Sequence, residues 1–184
     1  MKQKTLALLL AFILCLGSAL PTYAAEDTIW YPDSIVLQQS RRGTCTLCSS
    51  AMMIRARLYN DDFLDWASAD EESVSNYAWC SAGLLWSWSY PTVDGPLTVA
   101  HTSVSGISSE DLAALLEEHP EGIVLYCGNY PHAVWLIRQN DDGSFTCADP
   151  AFGTVSALAD SCLGSYGSQD AILSHVTAYW YIEN

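Results

Sequence analysis

The chemistry available to this 184-residue chain centres on one thiol, one imidazole and one carboxylate. Cys45 follows Thr44, a residue type that commonly caps helices, and the N-terminus of a helix favours the nucleophilic thiolate over the thiol. Thiolate catalysis also needs a nearby imidazole and a third group that orients it. His132 begins an apolar segment, and Asp149 ends the next strand-like segment. The sequence therefore contains a candidate for each of the three groups.

The turn between these two segments decides whether His132 and Asp149 can meet. If residues 140–143 (Asn-Asp-Asp-Gly) form the loop, His132 faces Ala151, and Asp149 is its diagonal neighbour on the same face, within side-chain reach. A tighter turn at 142–143 keeps both on one face but moves Asp149 two positions along. An odd loop without a bulge places them on opposite faces and breaks the arrangement.

Apolar spacing predicts the elements that carry these residues. Leu47, Ala51, Ile54 and Leu58 form one stripe on a predicted helix that starts at Thr44 and ends at residues 60–62. The apolar residues 133–137 predict a central strand that is buried on both faces. Other predicted helices lie at 63–67, 70–79 and 108–119, and extended segments lie at 84–90, 97–105, 123–127, 144–148 and 177–182. This order, helices first and sheet second, predicts an α+β fold.

The N-terminus has the features of a secretory signal peptide. Lys2 and Lys4 precede an apolar run at 6–16, and small residues follow up to Ala24. The run is shorter than the roughly 20 apolar residues that a membrane-spanning helix needs. We therefore expect cleavage after Ala24, secretion, and a single domain at 25–184 that has no membrane association once the signal is removed.

The charge balance limits the classes of partner. Lys and Arg number 7 against 21 Asp and Glu, a formal net charge of −14. Binding to nucleic acid or to an anionic membrane surface requires a cationic face, so neither partner is expected. A negative surface disfavours acidic substrates and mildly attracts basic peptides. The oligomeric state stays open.

Six cysteines remain when the signal peptide, which contains Cys15, is removed: Cys45, Cys48, Cys80, Cys127, Cys147 and Cys162. An even number of cysteines in an exported chain favours disulfides, so Cys45 could instead be half of a structural disulfide. If Cys45 is free, at least one further cysteine must be unpaired or bonded to another chain.

Two blocks of sequence together resemble a known family. Gln39, then Cys45 six residues later, then a helix with Met52 and Met53 resemble the start of papain-like cysteine peptidases. The nearest branch is the bacterial C39-like group, related to the double-glycine leader peptidases of bacteriocin export. The family's second block, a His-Ala-Val strand, a polar turn and an Asp-Pro followed by Gly, is similar to residues 132–137 and 149–153 here.

The resemblance implies a papain-like cysteine proteinase fold, with N-terminal helices packed on an antiparallel sheet. It makes Cys45 the nucleophile and His132 the general base and later acid. Asp149 would orient the imidazole. Gln39 would donate its side-chain amide to the oxyanion, together with the backbone N–H of Cys45. The implied activity is hydrolysis of peptide bonds, so we expect a peptide or protein substrate and no cofactor or metal.

The chain departs from this family next to the nucleophile. Thr46 and Leu47 replace the usual Gly-Pro, and Cys48 replaces a small residue. Cys48 lies one helical turn beyond Cys45, so outside the cell the two thiols could oxidise to each other and inactivate the site.

Other functions remain open at this point. Cys45-x-x-Cys48 at a helix start also suits a thiol–disulfide oxidoreductase. A zinc-stabilised domain could use Cys45, Cys48, Cys80 and a further thiol. A papain-like fold without catalysis would be a binding module. A ladder of aromatic residues, Trp86, Trp88 and Tyr90, is interpreted as core packing or as the wall of a peptide groove.

Overall fold

The computed structural model describes residues 31–81 and 83–183 of the chain. The predicted signal peptide and its cleavage site after Ala24 lie outside the described residues. Four α-helices are present in the described part: α1 (Cys45–Asn60), α2 (Glu71–Ala78), α3 (Ser109–Glu118) and α4 (Gln169–Ser174). Its strands are β1 (Trp79–Cys80), β2 (Gly83–Leu84), β3 (Trp88–Tyr90), β4 (Leu97–Ser103), β5 (Ile123–Cys127), β6 (His132–Gln139), β7 (Phe145–Asp149), β8 (Thr154–Ala157) and β9 (Ala178–Ile182).

Seven strands form one antiparallel sheet in the order β3-β4-β9-β5-β6-β7-β8, while β1 and β2 pair separately. Helices and antiparallel sheet together confirm the α+β class. None of the helices in the described residues combines the length and apolarity needed to cross a bilayer.

The sheet is covered on both faces, and β6 shows why. Ala133 and Trp135 point into the cluster that contains α1, whereas Val134 and Leu136 point into a second cluster that contains Leu112 of α3. Side chains alternate between the faces of a strand, so a strand with apolar residues at every position must be buried on both. The prediction of a central, two-faced strand is confirmed.

Helix α1 is buried on more sides than its single predicted stripe implied. Polar positions such as Ser49 and Ser50 are buried together with the apolar ones. One side of α1 packs on β5 and β6, and α2 with the 3₁₀ turns Asp33–Ile35 and Trp66–Ser68 contacts it as well. The α1 boundaries, from Cys45 to Asn60, agree with the prediction.

The buried Arg55 fastens these covering segments to α1. Its guanidinium donates to the carbonyl oxygens of Ser34 at 2.6 Å, Ala67 at 2.7 Å and Ala69 at 2.5 Å. A buried cation is tolerated where its N–H groups are satisfied, and here backbone carbonyls satisfy them. The segment that leads to Gln39 is thereby held beside the helix that begins with Cys45.

The predicted hairpin between β6 and β7 forms, with a different loop. Gln139 pairs with Phe145, so the loop has an odd length, residues 140–144. A bulge between Leu136 and Arg138 accommodates the extra residue of the loop. Leu136 therefore pairs with Cys147, the same partner that the predicted four-residue loop would give it. The bulge preserves the register at the His132 end of the strand.

Several shorter elements differ from the predictions. The helix expected at 63–67 is a 3₁₀ turn at Trp66–Ser68, and the strand expected at 84–90 is divided into β2 and β3. Strands β3 and β4 precede α3, so the simple order of helices followed by sheet is wrong. Strand β8 and helix α4 were not predicted. Pairing with β7 holds β8, and a side-chain cap from Ser168 begins α4.

We expect Arg55→Met to lower the free energy of unfolding by about 3 kcal/mol, because the carbonyls of Ser34, Ala67 and Ala69 lose a charged donor. Urea denaturation measures this change. The matched control is Arg138→Met, at an exposed position on β6, which should change stability by less than about 0.5 kcal/mol. Equal effects of the two substitutions would contradict the role given to Arg55.

Candidate active site

Cys45 is the first residue of α1, and its side chain is buried. Thr44 occupies the N-cap position, as predicted, but its hydroxyl donates to the carbonyl of Arg41 at 2.8 Å instead of capping the helix. The first N–H groups of a helix have no acceptor within the helix. The thiol of Cys45 is thus at the positive end of the α1 dipole, which favours a negative charge.

His132 and Asp149 meet across the hairpin. His132 begins β6 and Asp149 ends β7, and His132 Nε2 lies 2.8 Å from Asp149 Oδ1. Both side chains are enclosed, with 7 % of His132 and none of Asp149 exposed to solvent. The prediction that the two residues share a face within side-chain reach is confirmed.

Two backbone amides hold the Asp149 carboxylate. The N–H of Ala151 donates to Oδ1 at 2.8 Å, and the N–H of Cys162 donates to Oδ2 at 2.7 Å. Burial raises the pKa of Asp149, but the bond to His132 and these two N–H donors outweigh burial and bring the pKa below its usual value. The carboxylate is therefore ionised and fixed in direction.

The imidazole of His132 also contacts the thiol. Burial lowers the pKa of His132, but hydrogen bonds to Asp149 and to Cys45 overcome this effect and raise it to about 9. Since Nε2 bonds to Asp149, Nδ1 is the ring nitrogen left for Cys45. Helix α1, strand β6 and strand β7 thus bring together Cys45, His132 and Asp149 in one hydrogen-bonded series.

Gln39 lies on the Asp149 side of this series. Its backbone N–H donates to the carbonyl of Pro150 at 2.8 Å. Its side-chain Oε1 is buried and has no hydrogen-bond partner among the described residues. The neighbouring Gln38 is exposed and donates to Ala151 at 3.3 Å. Gln39 is thus held at the edge of the site, and its side-chain carbonyl oxygen is an unused hydrogen-bond acceptor.

Cys162 belongs to the site, although no motif in the sequence pointed to it. Its amide binds Asp149, and its thiol also bonds to that carboxylate; burial and the nearby negative charge raise the pKa of the Cys162 thiol to about 11. Single ligand atoms of His132, Asp149 and Cys162 lie within 4.8 Å of one another and could hold a metal ion such as zinc.

The six described cysteines are all unpaired, so the expected disulfides are not found among them. Cys45 and Cys48 in particular are separate thiols. Cys48 is wholly enclosed, and burial, Glu71 and Cys45 together raise the pKa of its thiol to about 12. Cys48 is therefore a neutral thiol at physiological pH and a poor nucleophile.

The aromatic ladder divides between the two interpretations. Trp88 and Tyr90 are buried in the core, as core packing requires. Trp86 instead has 73 % of its surface exposed and lines a cavity that also contacts Cys45. Only one member of the ladder thus contributes to a wall of the site.

No protein-family model, curated protein or solved structure matches the chain.

We expect Asp149→Asn to lower the pKa of His132 from about 9 towards or below 6.5, because burial remains while the charged acceptor is lost. In the native protein, the imidazolium contributes stability below pH 6.5 that is lost as the pH rises through about 9. An NMR titration of the His132 ring protons measures the shift. Asp160→Asn, at an exposed acid in a neighbouring turn, is the control and should leave the His132 titration unchanged.

Proposed function

We propose that the chain is a secreted cysteine peptidase of the C39-like, papain-like type. The observation that carries the proposal is the hydrogen-bonded series from Cys45 through His132 to the buried Asp149. A thiol at a helix N-terminus, an imidazole with a raised pKa and a fixed carboxylate are the parts that thiol hydrolases require. The position of each residue on its element also agrees with the two family-like blocks of sequence.

A papain-like fold is part of the same proposal. It is supported by a long buried helix that begins at the nucleophile and packs against an antiparallel sheet. It is supported further by His132 and Asp149 on adjacent strands of that sheet.

The mechanism follows from the three side chains. Cys45 as a thiolate attacks the carbonyl carbon of the peptide bond, and His132 as an imidazolium gives its proton to the departing amine. An acyl-thioester remains on Cys45. His132, now neutral, takes a proton from water, which attacks the thioester and releases the carboxylic acid and the thiolate. Asp149 keeps its charge throughout and holds the orientation of the ring.

The oxyanion of each tetrahedral intermediate needs hydrogen-bond donors. The backbone N–H of Cys45 lies in the first turn of α1, where it has no acceptor within the helix. Gln39 supplies a side-chain amide from the segment beside Asp149. We propose these two groups as the oxyanion donors, in a site where water is largely excluded.

The oxidoreductase alternative has less support. A Cys-x-x-Cys redox pair needs its second thiol to attack a mixed disulfide at the first. Cys48 is fully enclosed in the core around α1, and its pKa is raised to about 12, so it is a poor attacking group. The function of His132 and Asp149 would also be unexplained.

Peptide cleavage tests the proposal directly. The protein starting at Ala25, kept reduced, is incubated with a complex mixture of peptides, and new peptide termini are identified by mass spectrometry. We expect new termini from the wild type and none from Cys45→Ala. Cys48→Ala is the matched control and should retain cleavage. Cleavage that persists in Cys45→Ala, or a wild type that cleaves no peptide, would contradict the proposal.

Two adjacent glutamines allow a separate test of the oxyanion site. Gln39→Ala should reduce kcat by about 100-fold with little change in KM, because the donor acts mainly in the transition state. Gln38→Ala should change kcat by less than about threefold, since the exposed Gln38 makes only one long bond, at 3.3 Å. Steady-state kinetics on a peptide found in the cleavage screen measures both. The assignment of Gln39 is wrong if the two variants are equally active.

A further inference from the structure

We propose that the cavity beside Cys45 binds an aromatic side chain of the substrate, namely that of the residue whose carbonyl Cys45 attacks. This inference rests on the proposed peptidase function and adds a substrate class to it. The cavity has a volume of about 310 Å³, at the lower end of the roughly 300–1,000 Å³ that is typical of ligand sites. It therefore has room for one large side chain.

Several aromatic rings line this cavity. Trp86 stacks on His101, with ring centroids 5.2 Å apart and an angle of 11° between the planes. His101 in turn contacts Trp180 of β9 at 4.8 Å. The Trp180 indole is fixed because its N–H donates to the carbonyl of Leu85 at 3.0 Å. Trp79, Leu84 and Tyr126 also line the cavity.

The exposure of Trp86 points to a ligand. With 73 % of its surface in solvent, this indole presents apolar area that a bound aromatic group would cover. Its plane is already fixed by stacking on His101, so little side-chain entropy would be lost on binding. The indole thus offers a prepared surface next to the nucleophile.

The electrostatics of the cavity favour an uncharged group. The described residues that line it include no Asp, Glu, Lys or Arg. Burial lowers the pKa of His101, so its ring is neutral at physiological pH. A charged substrate side chain would lose hydration here without gaining a partner, whereas an aromatic one would gain apolar contact.

The position of Cys45 in the same wall gives the cavity its role in specificity. Because Cys45 itself lines the cavity and begins α1, a side chain bound there keeps the backbone of its own residue close to the thiol. Binding energy from the aromatic contact is thereby used to orient the reacting group.

Three chloromethyl ketones test this inference, carrying acetyl-phenylalanine, acetyl-lysine and acetyl-glutamate. The rate constant for modification of Cys45 is measured by mass mapping of the reduced protein. We expect the phenylalanine reagent to react at least about tenfold faster than the other two. Trp86→Ala should remove this preference, and Trp86→Phe should retain most of it. Leu64→Ala, which removes an exposed apolar side chain elsewhere, should have no effect.

Iodoacetamide separates failure of the inference from failure of the proposed function, because this small reagent needs no subsite. Its rate with Cys45 should be the same in wild type, Trp86→Ala and Leu64→Ala. If Cys45 reacts with iodoacetamide but the three ketones react equally in wild type, the subsite is wrong and the peptidase proposal is unaffected. If the preference survives in Trp86→Ala, the subsite is also wrong. A Cys45 that does not react with iodoacetamide overturns both.

Discussion

The site depends on one buried negative charge, the carboxylate of Asp149. An isolated charge in the interior would be strongly unfavourable, so its ionised state requires the hydrogen bonds from His132, Ala151 and Cys162. Two of these donors are backbone amides, one in the turn after β7 and one at the start of the 3₁₀ turn Cys162–Tyr166, so neither can be displaced without rebuilding its turn. The charge therefore fixes the imidazole, and the imidazole, with its pKa raised to about 9, is presented to Cys45 as a cation.

The rest of the fold holds the residues around the Asp149 carboxylate in position. The bulge between Leu136 and Arg138 compensates for the odd loop and keeps His132 and Asp149 on one face. The 3₁₀ turn Cys162–Tyr166 begins with the amide that bonds to Asp149. Across the site, α1 directs its N-terminus and Cys45 towards His132. The Arg55 contacts hold the N-terminal segment with Gln39 against the same helix.

The sequence was sufficient for the larger elements because their side chains carry periodic signals. The stripe of α1, the two-faced run of β6 and the turn residues 140–143 predict where Cys45, His132 and Asp149 lie, and these three residues do come together. The loop length and the bulge were not predictable, since one residue more or less hardly changes the pattern. The role of Cys162 was hidden because its main contribution comes from a backbone N–H, which has no signature in the sequence. Strand β8 and helix α4 are too short to give a periodic signal. Pairing with β7 holds β8, and the Ser168 side chain caps α4.

The proposed peptidase chemistry depends on activation of Cys45 by His132. The rate of Cys45 alkylation by iodoacetamide at about pH 6, where an ordinary thiol is almost wholly protonated, measures this activation. Mapping of the labelled cysteines should find Cys45 modified well ahead of Cys48 in the wild type. In His132→Ala, modification of Cys45 should fall by about tenfold or more. Equal labelling of the two cysteines, unchanged by the loss of His132, would contradict the account.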